Sequence, residues 1–245
     1  MQHRSKKIKK SFFIILVVLI VLSGGSAIYL GNYYHSVDVE KYMNGSWEVS
    51  VEKFDKGWFF DGAGEEKALI FYPGAKVATE AYAPLMYQLA ESGIDCFLVD
   101  MPFHMAFFGM NRAEEIMQEY NYEAWYLGGH SLGGAMAANF AADYVEDHTD
   151  GIRGLLLLAA YPTKDLSTSD MSVVTVYGSE DGVLNMDKIV AGRELMPQDY
   201  KEVCIEGGNH AQFGSYGTQK GDGTAAIPAE EQWARTVEGF VGDES

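Results

Sequence analysis

Apolar residues along most of this chain form short unbroken runs, and each run is followed by a segment with the spacing of a helix. Unbroken apolar runs are typical of strands that are buried on both faces of a parallel sheet. Their alternation with helices predicts an α/β fold, with a mostly parallel sheet and helices on both of its faces. The predicted strands are 68–74, 96–102, 124–130, 153–162, 172–178 and 201–208, and the predicted helices are 79–93, 111–120, 132–147, 186–195 and 228–241.

The stretch before the first of these runs has a different pattern. Residues 46–54 alternate apolar and polar side chains, which is the period of a half-buried strand, and 57–62 are its candidate partner. In the first predicted helix, Thr79 is a candidate N-cap and Gly93 is a stop signal.

The N-terminus combines a basic cluster with a long apolar segment. No charged residue occurs from Phe12 to Leu30, a run of roughly 19 residues that matches the length of a membrane-spanning helix. We predict a basic cytoplasmic tail over 1–10, a single transmembrane helix over 11–30 and a linker over 31–45, with a folded domain over 46–245 on the extracytoplasmic side of the cell membrane. The alternative is a signal peptide cleaved after the small residues that end at Ala27, which would release a secreted protein.

Composition limits the classes of partner. A chain of 245 residues, 47% of them hydrophobic, is of a size that often folds as one α/β domain. The formal net charge of -17 argues against nucleic acid as a partner, because a phosphate backbone needs a basic surface. The sequence has no glycine-rich dinucleotide motif after a strand and no His/Cys cluster, so we expect no cofactor and no metal. Cys96 and Cys204 are predicted to be buried small apolar residues, with a disulfide as the alternative.

Residues 128–134 read GGHSLGG, at the junction of a predicted strand and a predicted helix rich in alanine and glycine. They fit the pattern G-x-S-x-G, with Ser131 at its centre. A turn this tight holds the serine in a strained backbone conformation and raises its hydroxyl above the sheet. The helix N-terminus behind it offers free amides to a developing oxyanion. This arrangement predicts that Ser131 is a nucleophile.

This junction resembles the nucleophile elbow of the α/β-hydrolase superfamily. A second stretch, GGNHAQFG at 207–214 followed by QKGDG at 219–223, resembles a compact subgroup of that superfamily, the alpha/beta hydrolase fold-5 type, which is distantly related to dienelactone hydrolases. The resemblance covers roughly residues 67–242. It implies an α/β-hydrolase fold with a minimal lid, because only 161–170 join the fourth and fifth predicted strands of the main alternation.

The resemblance also implies the partners of the serine, since the family orders its triad as serine, acid and histidine along the chain. The acid that matches is Asp181, which is followed by glycine as is common in the family, and Glu180 is its rival. The histidine that matches is His210, after the last predicted strand. His104 precedes the serine in the chain, and His130 is too close to it in sequence to reach back productively.

An oxyanion hole of two backbone amides is implied in the same way. One amide is that of Leu132, which follows the serine. The other belongs to the loop after the strand at 68–74, where the family pattern points to Ala75, with Lys76 as runner-up. This chain has Pro73 where the family often has histidine, which leaves the geometry of the loop open.

The loop after the strand at 96–102 carries several Phe and Met residues. Phe107 and Phe108, together with Lys76, are candidate substrate-binding residues. The alternatives are contact with the membrane or ordinary packing for the aromatic rings, and a plain surface charge for Lys76.

The sequence and the resemblance together predict a membrane-anchored serine hydrolase of carboxylesterase type, which cleaves acyl esters through a Ser-His-Asp triad and an acyl-enzyme intermediate. The expected partners are a small-molecule acyl substrate and the membrane, which is bound through the N-terminal helix. One alternative is a non-catalytic surface binding protein with the same fold. The other is a thioesterase, peptidase or acyltransferase that uses the same triad.

Overall fold

The computed structural model describes residues 31–148 and 151–242. The predicted tail and transmembrane helix at 1–30 lie outside the described residues. Within the described ranges, no helix is long and apolar enough to cross a membrane. The α/β unit begins at Tyr34.

The strands of the described chain are β1 (Ser50–Phe54), β2 (Gly57–Asp61), β3 (Lys67–Tyr72), β4 (Asp95–Val99), β5 (Ala124–His130), β6 (Ile152–Leu158), β7 (Ser172–Gly178) and β8 (Tyr200–Ile205). They form one sheet in the order β1-β2-β4-β3-β5-β6-β7-β8. β2 pairs antiparallel with both β1 and β4, and all the other neighbours are parallel. The mostly parallel sheet predicted from the sequence is therefore confirmed.

Helices cover both faces of this sheet, as predicted. The α-helices of the described chain are α1 (Glu40–Met43), α2 (Ala83–Glu91), α3 (Arg112–Glu119), α4 (Leu132–Asp147), α5 (Met186–Gly192) and α6 (Ala229–Val241). Side chains of α2 and α6 pack into the hydrophobic core on one face, and side chains of α3 and α4 pack into the core on the other.

The central strand β3 shows why the apolar runs are unbroken. Leu69 and Phe71 point into the core beneath α2 and α6. Ala68, Ile70 and Tyr72 point into the core beneath α3 and α4. Because neighbouring side chains of a strand point to opposite faces and both faces are covered, every position must be apolar.

The first predicted helix begins differently from its sequence pattern. Thr79–Tyr82 forms a 3₁₀ turn, and the α-helix α2 follows with Tyr82 as its N-cap, so the prediction of Thr79 as N-cap is wrong. Pro84 lies in the first turn of α2, the one part of a helix that tolerates a residue without an amide hydrogen. Gly93 follows the helix with a φ of 87°, as a stop signal requires.

The segment predicted to be a linker packs on the domain from Tyr34 onward. The amide of Tyr34 donates to the carbonyl of Lys76 (2.7 Å), and the amide of Val37 donates to the carbonyl of Ser215 (2.8 Å). Val39 is buried. These partners are distant in the sequence, so the local pattern of residues could not predict that this segment packs on the domain.

The two cysteines have different environments, and both are free thiols. Cys96, in β4, is buried as predicted, and burial raises the pKa of its thiol. Cys204 is exposed, contrary to the prediction, because β8 is the last strand of the sheet.

The turn between β5 and α4 brings backbone segments closer than side chains allow. A Cβ on Gly133 would lie 2.1 Å from the carbonyl oxygen of Tyr72 and 2.4 Å from that of Pro73. A Cβ on Gly129 would lie 2.6 Å from the carbonyl carbon of Gly133. The glycines on either side of Ser131 are therefore required by packing against β3 and against the start of α4.

We expect Gly133→Ala to destabilise the protein markedly, because the added methyl group meets backbone atoms that cannot rotate away. Overpacking of this kind costs about 1–3 kcal/mol or more. For a chain of this length, each kcal/mol lowers the thermal midpoint by about 2–4 °C. Calorimetry of the purified protein measures the change.

Gly192→Ala is the matched control. Gly192 also has helical dihedral angles, and a Cβ there would lie 3.4 Å from a ring carbon of Pro162, an ordinary contact. We expect its thermal midpoint to stay level or rise slightly, because alanine is the better helix former. Equal midpoints for the two variants would contradict the packing argument for Gly133.

Candidate active site

Three loops that carry the candidate residues leave the same edge of the sheet. Ser131 follows β5, Asp181 lies in the turn after β7, and His210 lies in the loop after β8. Since β5 to β8 are neighbouring parallel strands, their carboxyl ends lie side by side. Ligand and catalytic sites of open α/β sheets form at this edge.

Asp181 and His210 are in direct contact. Nδ1 of His210 donates to Oδ2 of Asp181 at 2.8 Å, and both side chains are only 2% exposed. The other carboxylate oxygen of Asp181 accepts the amides of Val183 (2.9 Å) and Leu184 (2.8 Å), which fixes the carboxylate within its own turn. Because a carboxylate is an acceptor, Nδ1 is the donor in this bond, and Nε2 is the ring nitrogen that takes no part in it.

The rival acid is oriented differently. A side-chain oxygen of Glu180 accepts a hydrogen bond from the hydroxyl of its neighbour Ser179 at 3.2 Å, and the side chain is exposed. Asp181, rather than Glu180, is therefore the carboxylate that contacts His210.

Ser131 has the strained backbone that the sequence predicts. Its φ of 53° and ψ of -121° lie in a region that non-glycine residues rarely adopt, at a cost of about 1–3 kcal/mol. The conformation is held from both sides: the amide of Ser131 donates to Leu158 in β6 (2.8 Å), and its carbonyl accepts the amide of Ala135 in α4 (3.1 Å). Leu132 is the first residue of α4, so its amide has no partner within the helix.

The backbone amides of the loop after β3 differ in whether they have a hydrogen-bond acceptor. The amide of Gly74 donates to the hydroxyl of Tyr82 (3.0 Å), and the amide of Lys76 donates to the carbonyl of His104 (2.7 Å). Between them, the amide of Ala75 has no acceptor among the described residues. Of the two residues named from the sequence, Ala75 therefore has the available amide, and that of Lys76 is engaged.

His130 is a part of the site that sequence reasoning assigned no role. Its Nδ1 is hydrogen bonded to the hydroxyl of Tyr82 (2.7 Å), and its ring centroid lies 4.4 Å from that of His210. Burial, reinforced by the nearby His210, holds the pKa of His130 well below its usual range, so its imidazole is neutral. Tyr82 thus links the neighbour of Ser131 to Gly74, in the loop after β3. The only sequence signal was a tyrosine within an apolar helix.

The aromatic loop after β4 lies largely on the surface. Phe103, Phe107 and Phe108 are 57%, 49% and 52% exposed, so they are not core residues. The rings of Phe107 and Phe108 lie 4.2 Å apart, and Phe103 contacts Phe108. Phe103 and His104 both have positive φ angles, a backbone strain that is common at functional sites.

In residues 31–148 and 151–242, there is no group of three or more His, Cys, Asp or Glu side chains that could hold a metal ion.

We expect Tyr82→Phe to reduce stability, because it removes the hydroxyl that bonds both Gly74 and His130 inside the protein. A buried polar group left without a partner costs about 1–3 kcal/mol. Urea unfolding should show a lower midpoint with an unchanged slope.

Tyr87→Phe is the control for this prediction. The hydroxyl of Tyr87 bonds Ser46 at the surface (2.7 Å), and its loss should change stability by no more than about 0.5 kcal/mol. An effect at Tyr82 as small as that at Tyr87 would show that the Gly74–Tyr82–His130 contacts contribute little.

The alpha/beta hydrolase family profile matches residues 68–234, which include Ser131, Asp181 and His210. No curated protein matches the sequence.

Solved structures with the same fold include three hydrolases. A putative hydrolase from Agrobacterium vitis S4 is 13% identical, with a TM-score of 0.58 over 79% of this chain and 98% of that chain. Carboxyl esterase 2 from the mycorrhizal fungus Tuber melanosporum is 13% identical, with a TM-score of 0.58 over 84% and 91%. A monoacylglycerol lipase from Paleococcus ferrophilus is 15% identical, with a TM-score of 0.57 over 80% and 99%. At these identities the structural likeness establishes the fold alone. The family profile, which matches residues 68–234, shows that this chain belongs to the alpha/beta hydrolase family.

Proposed function

We propose that this protein is a serine hydrolase that cleaves small acyl esters. One observation carries the proposal: the buried hydrogen bond between Asp181 and His210 lies at the edge of the sheet where the strained Ser131 turn is located. His130, the chain neighbour of Ser131, is in ring contact with His210, which is consistent with a close approach of the two catalytic residues.

The three residues take the roles of a catalytic triad. Nε2 of His210 accepts the hydroxyl proton as Oγ of Ser131 attacks the ester carbonyl. Asp181 holds the imidazole in the required tautomer and stabilises its charged form. The proton then passes to the leaving alkoxide, and the acyl group stays on Ser131. A water molecule then attacks the acyl-enzyme while His210 takes its proton. His210 returns this proton to Oγ of Ser131 as the bond from Oγ to the acyl carbon breaks and the carboxylic acid leaves.

The amides of Leu132 and Ala75 are the proposed oxyanion donors. Leu132 contributes a free amide at the N-terminus of α4, where the helix dipole favours negative charge. Ala75 contributes the amide that lacks an acceptor in the described chain, between two residues whose own amides are engaged. Each such donor contributes a factor on the order of 10²–10³ in rate.

An ester of a small acyl group is the substrate class that we favour. The connection at 159–171, between β6 and β7, contains no helix or strand, so no lid domain is inserted there. The exposed rings of Phe107 and Phe108 are candidates for acyl-chain contacts. Two of the structural neighbours, the carboxyl esterase and the monoacylglycerol lipase, have names that denote ester cleavage, which favours esters over thioesters and peptides.

The triad proposal predicts that Ser131→Ala and His210→Gln each lower kcat for p-nitrophenyl acetate by about 10⁴-fold or more, because both remove a group that acts in the transition state. Asp181→Asn should cost a similar factor, since an amide favours the wrong tautomer of His210. Steady-state kinetics with esters, thioesters and peptides measures both the loss and the substrate class.

Ser92→Ala and His148→Gln serve as controls, because both residues are exposed and distant in sequence from the proposed triad. They should keep the activity of the unmodified protein. Turnover by Ser131→Ala at the unmodified rate would refute the triad. An unmodified protein that neither turns over any of these substrates nor reacts with a fluorophosphonate would favour the binding-protein alternative.

We also propose that residues 11–30 anchor the protein in the cell membrane, with the hydrolase domain on the extracytoplasmic side. The absence of charge from Phe12 to Leu30 and the preceding basic cluster support this orientation.

The anchor predicts that the protein, expressed in a bacterial host, stays in the membrane fraction after alkaline carbonate extraction and keeps the mass of the full chain, 27.1 kDa. A variant that lacks residues 11–30 should be released. A secreted product whose N-terminus follows Ala27 would instead show that the segment is a cleaved signal peptide.

A further inference from the structure

Asp222 is not a member of the proposed triad. It nevertheless joins the loop that carries the acid of the triad, Asp181, to the loop that carries the base, His210. It follows the short 3₁₀ helix Ala211–Phe213 and belongs to the QKGDG stretch at 219–223. Its side chain is half-buried. Neither the proposed reaction nor the fold itself accounts for a carboxylate at this position.

The carboxylate of Asp222 accepts hydrogen bonds from four backbone amides. Oδ1 accepts the amides of Gly182 (3.2 Å), His210 (3.2 Å) and Gly223 (2.9 Å), and Oδ2 accepts the amide of Ala211 (2.8 Å). A carboxylate offers about four lone-pair sites, two on each oxygen, so Oδ1 is shared by three donors and both oxygens are engaged. Hydrogen bonds to an ionised acceptor are roughly twice as strong as neutral ones.

Three of these four amides belong to the two loops that meet in the Asp181–His210 bond, and the fourth is that of Gly223, the residue after Asp222. Gly182 is the next residue after Asp181, so its amide belongs to the turn that carries the acid. The loop after β8 contributes the amide of His210 itself. Asp181 is fixed within its own turn by the amides that it accepts. Asp222 then joins that turn to the loop of His210, through the amide next to Asp181 and the amide of His210 itself.

The neighbouring glycine supports a close fit. A Cβ on Gly223 would lie 2.0 Å from the carbonyl oxygen of Glu180, so only glycine lets the segment approach the turn that carries Asp181. The carbonyl of Gly223 also accepts the side-chain amide of Asn209 (2.8 Å), next to His210. Residues 222–223 therefore lie between the two loops and contact both of them.

We propose that Asp222 is a positioning residue, whose carboxylate clamps the Asp181 turn to the His210 loop and so orients the imidazole for proton transfer with Ser131. This inference rests on the proposed serine hydrolase function. In the described chain, the hydrogen bonds that the Asp222 carboxylate accepts come from backbone amides, so its loss should affect the chemical step and leave ester binding unchanged.

The test is the split between kcat and KM for p-nitrophenyl acetate in the full-length protein. Asp222→Ala should lower kcat by about 10- to 100-fold, the effect of a misplacement near 1 Å, with KM unchanged. Asp222→Asn keeps one oxygen as an acceptor, so its kcat should fall between those of Asp222→Ala and the unmodified protein. This partial rescue distinguishes loss of the clamp from general damage.

Ser179→Ala is the matched control. The hydroxyl of Ser179 also bridges the two loops, by accepting the amide of Gly207 at 2.8 Å, but it does so at their base, away from the catalytic side chains. Its kcat should stay within about two-fold of the unmodified value, as expected for a change that leaves the reacting groups in place. Thermal midpoints of all variants verify that the proteins are folded.

The proposal is overturned if folded Asp222→Ala keeps the unmodified kcat, if its KM changes while kcat does not, or if Ser179→Ala loses as much activity. Should Asp222→Ala fail to fold, the same comparisons are decided by Asp222→Asn. Failure of the proposed function is distinguishable from these outcomes, because Ser131→Ala would then remain active or the unmodified protein would show no turnover.

Discussion

The close approach of backbone segments at the turn between β5 and α4 is the constraint on which the site depends. Gly129 and Gly133 let the turn pack against the end of β3, where a side chain on Gly133 would overlap the carbonyl of Tyr72. That packing holds Ser131 at its unfavourable φ of 53°, and the strain persists because the surrounding sheet and helix are rigid. The same packing brings the first turn of α4 against Tyr72 and Pro73, which directly precede Gly74 and Ala75 in the chain.

The sheet brings the site residues near one another, and hydrogen bonds between loops then fix their positions. The sheet brings the ends of β5, β7 and β8 to one edge, but loops of this length need further links to hold side chains within bonding distance. The Asp181–His210 bond is one such link, and the contacts of Tyr82 with Gly74 and His130 are another. Both lie in buried surroundings, where competition from water is small and each bond restricts its partners strongly.

The strand and helix alternation was predictable from local patterning of apolar residues. The family was predictable from the motif around Ser131, and the pairing of Asp181 with His210 was implied by the resemblance to that family. The Tyr82–His130 contact was not predictable, since it joins residues 48 positions apart through a hydroxyl in the 3₁₀ turn that precedes α2. The packing of Tyr34 and Val37 on distant loops was not predictable either, because it also joins residues that are far apart in the sequence. Thr79 shows the limit of capping rules, because Pro84 and tertiary packing moved the start of the α-helix.

The proposed mechanism requires that Ser131, His210 and Asp181 act as one unit, with the oxyanion held by the amides of Ala75 and Leu132. A crystal structure of the protein after reaction with a fluorophosphonate is the sharpest test of this arrangement. We expect a covalent bond from Oγ of Ser131 to phosphorus, with the phosphonyl oxygen within about 3 Å of both amides. Attachment to another residue, or an oxygen turned away from these amides, would refute the proposed triad and oxyanion hole.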